Sequence, residues 1–180
     1  MLRTNGIVVA IMIGLLAGCS TSPKSEAKKE ALGSDVQATL TSMKADDPSF
    51  DKFLGNAYGY VIFPSVGKGG LILGGAYGQG EVYEEGKMIG YADITQATLG
   101  LQAGGQSFAE VIVFENKAAL DKFVQNRYEP SASASAVALK SGAAAAAKYT
   151  DGVALFTYVK GGLMAEASLG GQRFTFTPVR

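Results

Sequence analysis

Apolar residues follow three successive patterns along this chain. From Gly6 to Gly18 every residue is apolar or glycine, preceded by one charge, Arg3, and followed by the polar run Ser20-Thr21-Ser22-Pro23. From Lys24 to Lys44 good helix formers dominate, and Val36, Leu40 and Met43 fall at i, i+4 and i+7, the spacing of one helical face. The stretch reads as helix, weakened in its middle by Gly33, where Ser34 and Asp35 offer a cap for a fresh helix. Asp47-Pro48 then reads as a cap and a first helical proline, with Phe50, Phe53 and Leu54 as the apolar face.

After Gly55 the period shortens to that of strands. The predicted strands are Tyr58–Phe63, ended by Pro64; Gly70–Tyr77; Gly80–Tyr83; Met88–Ile94, after a turn at Glu84-Glu85-Gly86-Lys87; Thr95–Gly104; and Ser107–Glu115. In the fifth, Ala97, Leu99, Leu101 and Ala103 alternate with Gln96, Thr98, Gly100 and Gln102. Asn116 caps one helix, with Leu120, Phe123 and Val124 on its apolar side. Small residues over Ser133–Leu139 read as a strand, and the alanine tract Gly142–Lys148 as loop or strand, being too short to stand as a helix. Gly152–Val159, Leu163–Leu169 and Arg173–Thr177 complete the pattern, with turns at Gly161-Gly162 and Gly170-Gly171. The fold class this predicts is α+β: N-terminal helices, then a strongly curved, mostly antiparallel sheet or small β-barrel with one inserted helix.

The N-terminal pattern is that of a secretory signal: a short basic start, an apolar stretch too short to span a bilayer, and small residues before a cleavage point. Leu16-Ala17-Gly18-Cys19 resembles a lipobox. That resemblance implies a signal peptide over residues 1–18 and a diacylglyceryl group on the Cys19 thiol. It implies a lipidated tether and basic helical arm over 19–33, ahead of a domain over 34–180. Cys19 is the sole cysteine, so no internal disulfide competes for it. Two or three acyl chains on one residue make a stable anchor, at about 0.8 kcal/mol per buried methylene. In a Gram-negative envelope Ser20, in place of an aspartate, favours the inner leaflet of the outer membrane for such a lipoprotein, facing the periplasm.

Composition narrows the chemistry. The chain has 16 basic and 16 acidic residues and no histidine. The balance argues against nucleic acid as a partner. Without histidine, and with Cys19 acylated, the usual zinc and copper ligand sets and the histidine-based catalytic triads and dyads are missing. No metal, no cofactor and no enzymatic activity are expected. Glu84, Glu85, Asp46 and Asp47 sit in turn or cap contexts and are read as structural. The 24 glycines punctuate apolar runs instead of forming a linker, as in tightly curved strands.

Several ordered motifs resemble the SYLF domain: Ala57-Tyr58-Gly59-Tyr60-Val61-Ile62-Phe63-Pro64, Val66-Gly67-Lys68-Gly69-Gly70, Gly74-Gly75-Ala76-Tyr77-Gly78-Gln79-Gly80, and Ala92 to Gly104. Glu110 to Phe123, Lys160 to Ala165 and Ser168 to Gly171 continue the likeness, which covers about residues 35 to 177. The resemblance implies lipid binding; eukaryotic members bind phosphoinositides, some bind actin filaments, and a basic N-terminal helix helps engage membranes. Lys24 to Ala31 resembles that helix.

The candidate lipid-headgroup residues are therefore Lys24, Lys28, Lys29 and Lys68, with Cys19 as the lipidation site. Gly67-Lys68-Gly69-Gly70 lacks the Ser or Thr and the following helix of a phosphate loop and is read as a hairpin turn. Tyr58, Tyr60, Tyr77, Tyr83 and Tyr91 are read mostly as strand packing, with one or two suited to a membrane interface. The expected function is a membrane-anchored lipoprotein with a non-catalytic lipid-binding domain and anionic phospholipid as partner. The alternative is a structural or protein-interaction lipoprotein whose domain binds no lipid.

Overall fold

A computed structural model describes residue 23 and residues 25–69, 73–99, 107–130, 136–159 and 171–179. The expected signal peptide, Cys19, Lys24 and the predicted strand over 163–169 lie outside them. Four helices and seven strands are seen: α1 (Glu26–Asp46), α2 (Pro48–Gly55), β1 (Gly59–Gly69), β2 (Leu73–Glu84), β3 (Lys87–Leu99), β4 (Ser107–Phe114), α3 (Lys117–Val124), β5 (Ala136–Ala138), α4 (Ala143–Ala146), β6 (Val153–Tyr158) and β7 (Gln172–Pro178). The strands form one sheet in the order β5-β6-β4-β1-β2-β3-β7, antiparallel at every pairing except β5 with β6. The fold is thus α+β, as the sequence predicts. Among the described residues the sheet is not closed into a barrel, and β5 and β7 are its edges.

Two apolar layers sandwich the sheet. On the inner face Val61, Phe63, Val82, Ile94, Ile112, Phe114 and Phe174 pack with Ala119, Leu120 and Phe123 of α3. On the outer face Ile62, Val111, Val113, Ala154 and Phe156 meet Val36, Leu40 and Met43 of α1 and Phe50 and Leu54 of α2. Phe156 takes Phe50 and Phe53 edge-on, with centroids 5.2 and 5.1 Å away. Each buried ring contributes about 1.5–3 kcal/mol by desolvation, and the edge geometry adds about 0.5–1.5 kcal/mol.

Five expectations are corrected. α1 runs unbroken through Gly33, with Ser25 as its N-cap, so Ser34 and Asp35 do not start a new helix. The glycine serves approach instead: a Cβ there would lie 3.3 Å from Oε1 of Glu81 on β2. Pro64 does not end its strand; β1 continues past it through a register shift between Ile62 and Ser65. A bulge leaves a residue out of the ladder, which suits a proline with no N–H to donate.

The two strands expected over 70–83 are one, β2, and those over 88–104 are one through Leu99, β3. Gly78 and Gly80 mark contact instead of interruption. A Cβ at Gly80 would fall 2.3 Å from the Ile62 carbonyl oxygen, at the β1 bulge. Gly67-Lys68-Gly69 is likewise strand and not turn, paired along β2 with Lys68 opposite Ala76.

The alanine tract forms one helical turn, α4, where loop or strand was expected. Short alanine helices are marginal alone, and this one is held from outside. Asp47 Oδ2 accepts from the Ala144 N–H at 2.8 Å and Ser49 Oγ from the Ala145 N–H at 3.0 Å.

Candidate functional site

The basic arm sits at one end of α1. Ser25 caps the helix, its carbonyl accepting from the Lys28 and Lys29 N–H groups at 3.0 and 3.1 Å. Lys28 is exposed. Lys29 is half-buried and forms an ion pair with Glu26 at 2.8 Å; that hydrogen bond raises its pKa. Both Glu26 and Lys29 lie close enough to Tyr91 on β3 to perturb its phenol, whose pKa is raised chiefly by burial. Beyond them, Gly33 rests on Glu81, which is 7% exposed and accepts from the Tyr83 hydroxyl at 2.7 Å. Burial first, then that bond to Glu81, pushes the Tyr83 phenol well up. Tyr83 in turn stacks on Tyr60 at 4.8 Å. These tyrosines are packing, as expected.

Lys68 does not join this group. Its partner Ala76 and the Glu81 beneath α1 are five residues apart on β2, or about 17 Å. The Lys68 side chain, like Lys24 and Cys19, lies outside the described residues.

The carboxylates considered for chemistry are structural. Asp47 is fully buried, caps α2 through Ser49 N–H at 3.0 Å, and accepts from Ser49 Oγ and Ala144 N–H. Burial alone would raise its pKa; the bonds from Ala144, Ser49 and Gly142 outweigh it, and the group lies below the usual carboxylate range. Glu84 accepts from the Tyr58 hydroxyl at 2.8 Å, and Asp46 from Tyr158 at 2.8 Å. Glu85 lies in the β2–β3 turn with φ 47°.

The helices leave part of the sheet's outer face uncovered. Because opposed residues of an antiparallel pair share a face, the register fixes a polar grid there. Gln79, Asp93 and Thr175 make one row; Tyr77, Thr95 and Arg173 make the next. Rows are about 7 Å apart and strands about 4.8 Å. Tyr77 is 52% exposed, and its hydroxyl reaches diagonally to Asp93 Oδ1 at 3.3 Å. Gln79 Nε2 donates to the same oxygen at 3.3 Å. Asp93 is only 9% exposed, and burial raises its pKa against the lowering effect of those two bonds. Thr95 and Arg173 are exposed, and among the described residues Arg173 has no ion pair. Sequence reasoning singled out Tyr77 here but neither Asp93 nor Arg173, because the motif containing Asp93 reads as an ordinary strand until its register is known.

Clefts among the described residues include two beside these elements. One of about 300 Å³ lies between α1 and the start of β4, lined by Asp35, Thr39, Ser65, Ser107 and Tyr158. One of about 690 Å³ runs along β7 beside Asn126, Tyr128 and Phe174. Among the described residues no cluster of acidic, histidine or cysteine side chains suits a metal ion.

A curved antiparallel sheet clasped by a long N-terminal helix and one inner helix defines the class of fold. Comparison with known proteins gives the family. Residues 95–178, from the middle of β3 through β7, match the profile of Ysc84, described as Las17-binding protein actin regulator. That segment belongs to the Ysc84, or SYLF, family, and the motifs of residues 57–80 precede it in the same sheet. The chain is also 31% identical over 146 residues to Beta cell expansion factor A of Aeromonas veronii, an alignment covering 80% of this chain and 55% of that protein. The chain thus spans about half the length of this relative.

Proposed function

We propose that this chain is a lipoprotein, anchored through an acylated Cys19, whose SYLF domain contacts lipid without catalysis. The observation that carries the reading is the position of the arm. α1 begins at its Ser25 cap, only six residues after Cys19, with Lys28 exposed in its first turns. Those six residues reach at most about 20 Å, so an acyl anchor there holds the arm lysines within a Debye length or two of a headgroup layer. Each lysine near an anionic surface contributes about 1 kcal/mol. Among the described residues no helix is long and apolar enough to cross a membrane. Ser20 favours the inner leaflet of an outer membrane, with the domain facing the periplasm.

Because the inner face of the sheet is filled by Phe63, Phe114, Phe123 and Phe174, lipid contact belongs to the surface of the domain. That filled core also favours the second reading, a protein-interaction lipoprotein whose domain binds no lipid. Co-sedimentation of residues 20–180 with phosphatidylglycerol vesicles separates the two. Binding that weakens when Lys28 and Lys29 are both changed to Glu supports the first. Vesicles that leave the protein in the supernatant support the second.

A further inference from the structure

The uncovered grid on β2, β3 and β7 carries two opposite charges that do not neutralise each other. Asp93 and Arg173 occupy diagonal positions of an antiparallel pair, since Asp93 faces Thr175. Such positions are about 7–8 Å apart. Asp93 spends one oxygen on Tyr77 and Gln79. Its nearly complete burial makes the charge costly unless a cation meets it. Arg173 is exposed one row away, and Tyr77 lies on the same face with half its surface exposed.

From this geometry we propose that the face is a seat for the zwitterionic headgroup of phosphatidylethanolamine in the membrane that carries the anchor. The primary ammonium meets Asp93, the phosphate meets Arg173, and the Tyr77 ring sits at the interface, where amphipathic rings are favoured. Asp93 is held by Tyr77 and Gln79 on β2, so the longer Arg173 side chain does the reaching across the diagonal to the phosphate.

Two observations select this occupant. The first is charge complementarity, a carboxylate and a guanidinium set on a diagonal with a hydroxyl-bearing ring beside them. The second is the course of the chain. Glu26 and Lys29 lie close enough to Tyr91 to perturb its phenol, and Tyr91 is two residues before Asp93 on β3. The α1 N-terminus therefore lies beside the grid, and the six preceding residues lead to Cys19 within about 20 Å. The membrane that receives the acyl chains is the surface this face meets. The proposal rests on the lipid-contact reading above and adds a headgroup to it.

The test uses residues 20–180 and vesicles of equal phosphatidylglycerol content, the remainder being phosphatidylethanolamine or phosphatidylcholine. Choline carries a positive charge but no N–H. A lost hydrogen bond to a charged group then makes binding to the phosphatidylcholine vesicles roughly tenfold weaker. Asp93→Asn keeps an oxygen for Tyr77 and Gln79 and removes the charge. It abolishes the preference while leaving binding to phosphatidylcholine vesicles intact. Arg173→Gln, at an exposed edge position, weakens binding to both vesicle sets, because the phosphate it meets is common to both lipids. Equal binding of the unaltered chain to both vesicles overturns the proposal but spares lipid contact itself. So does a preference that survives Asp93→Asn, or an Asp93-dependent dimer in sedimentation velocity. Failure to bind either vesicle overturns both readings.

Discussion

Gln172 Nε2 donates a hydrogen bond to Glu110 Oε2 at 2.9 Å, although Gln172 is on β7 and Glu110 on β4, with β1, β2 and β3 between them. In a flat sheet four inter-strand steps separate those strands by about 19 Å. The bond therefore measures how strongly the sheet is coiled: its inner face turns back until opposite strands touch through their side chains. Phe63 on β1 and Phe174 on β7, with centroids 5.9 Å apart, report the same curvature. Burial first, then the Glu110 carboxylate, push the neighbouring Tyr128 phenol up to about 12.

Glu110 is fully buried, so Glu110→Ala removes the acceptor and strands the Gln172 amide inside. The expected loss is about 2–4 kcal/mol, read as a lower urea midpoint with little change in slope. A loss under about 0.5 kcal/mol, the range of ordinary surface substitutions, would show that the inter-strand contact does not hold the curvature.

Asp47 ties three helices together, ending α1, capping α2 and accepting from α4. Asp47→Ala is expected to cost about 2–4 kcal/mol, a lost cap plus a lost charged hydrogen bond in a buried site. Its pKa is lowered by folding, so its stabilisation is complete above the unfolded carboxylate value near 3.9. It is lost as pH falls through the lower folded value. Acid titration of Asp47→Asn followed by circular dichroism is expected to show a shallower acid limb than that of the unaltered chain.

Two glycines predict opposite outcomes. A methyl at Gly80 would collide with the Ile62 carbonyl at 2.3 Å and the Phe63 ring at 2.7 Å. Gly80→Ala is therefore expected to destabilise by more than about 2 kcal/mol. At Gly55, in the last turn of α2, nothing lies within 4 Å of the added carbon. Gly55→Ala is expected to stabilise by up to about 1 kcal/mol. Thermal melts of the two variants check the pair.

For Asp93 the sign reverses. Folding raises its pKa through burial, so the ionised group opposes folding at neutral pH, and the opposition disappears as pH falls through the folded value. Asp93→Asn is expected to raise the thermal midpoint at pH 7 and leave it unchanged at acid pH. The phosphatidylethanolamine preference follows the same titration. It is present above the raised pKa and lost below it, with Tyr77, Arg173 and Tyr91 as the neighbouring ionisable groups. A preference that persists when Asp93 is protonated would assign the headgroup contact elsewhere.

The helices were legible in the sequence because caps and apolar spacing are local. Asn116 accepts from the Ala119 N–H at 3.0 Å, as its position before Lys117 implies. Strand boundaries were less so. Gly78, Gly80 and Pro64 look like stops, and only the bulge and the close crossing of β1 and β2 explain them as continuations. Alternation gave a period but not which side is inside: Gln96, polar, is 3% exposed on the inner face. The alanine turn α4 depends on an acceptor 97 residues away, which no local pattern displays. The lysines of the arm were visible as charges. The Asp93–Arg173 diagonal exists only once β3 and β7 are paired.

The claim on which the rest depends is that Cys19 carries the membrane anchor. Mass spectrometry of the intact protein, extracted from its own bacterial envelope in mild detergent, tests it most directly. The account predicts a polypeptide that begins at Cys19, heavier than its sequence by a diacylglyceryl group, commonly with a further acyl chain, and accompanied by phospholipid. A polypeptide that retains residues 1–18, or that carries an unmodified Cys19, would contradict it.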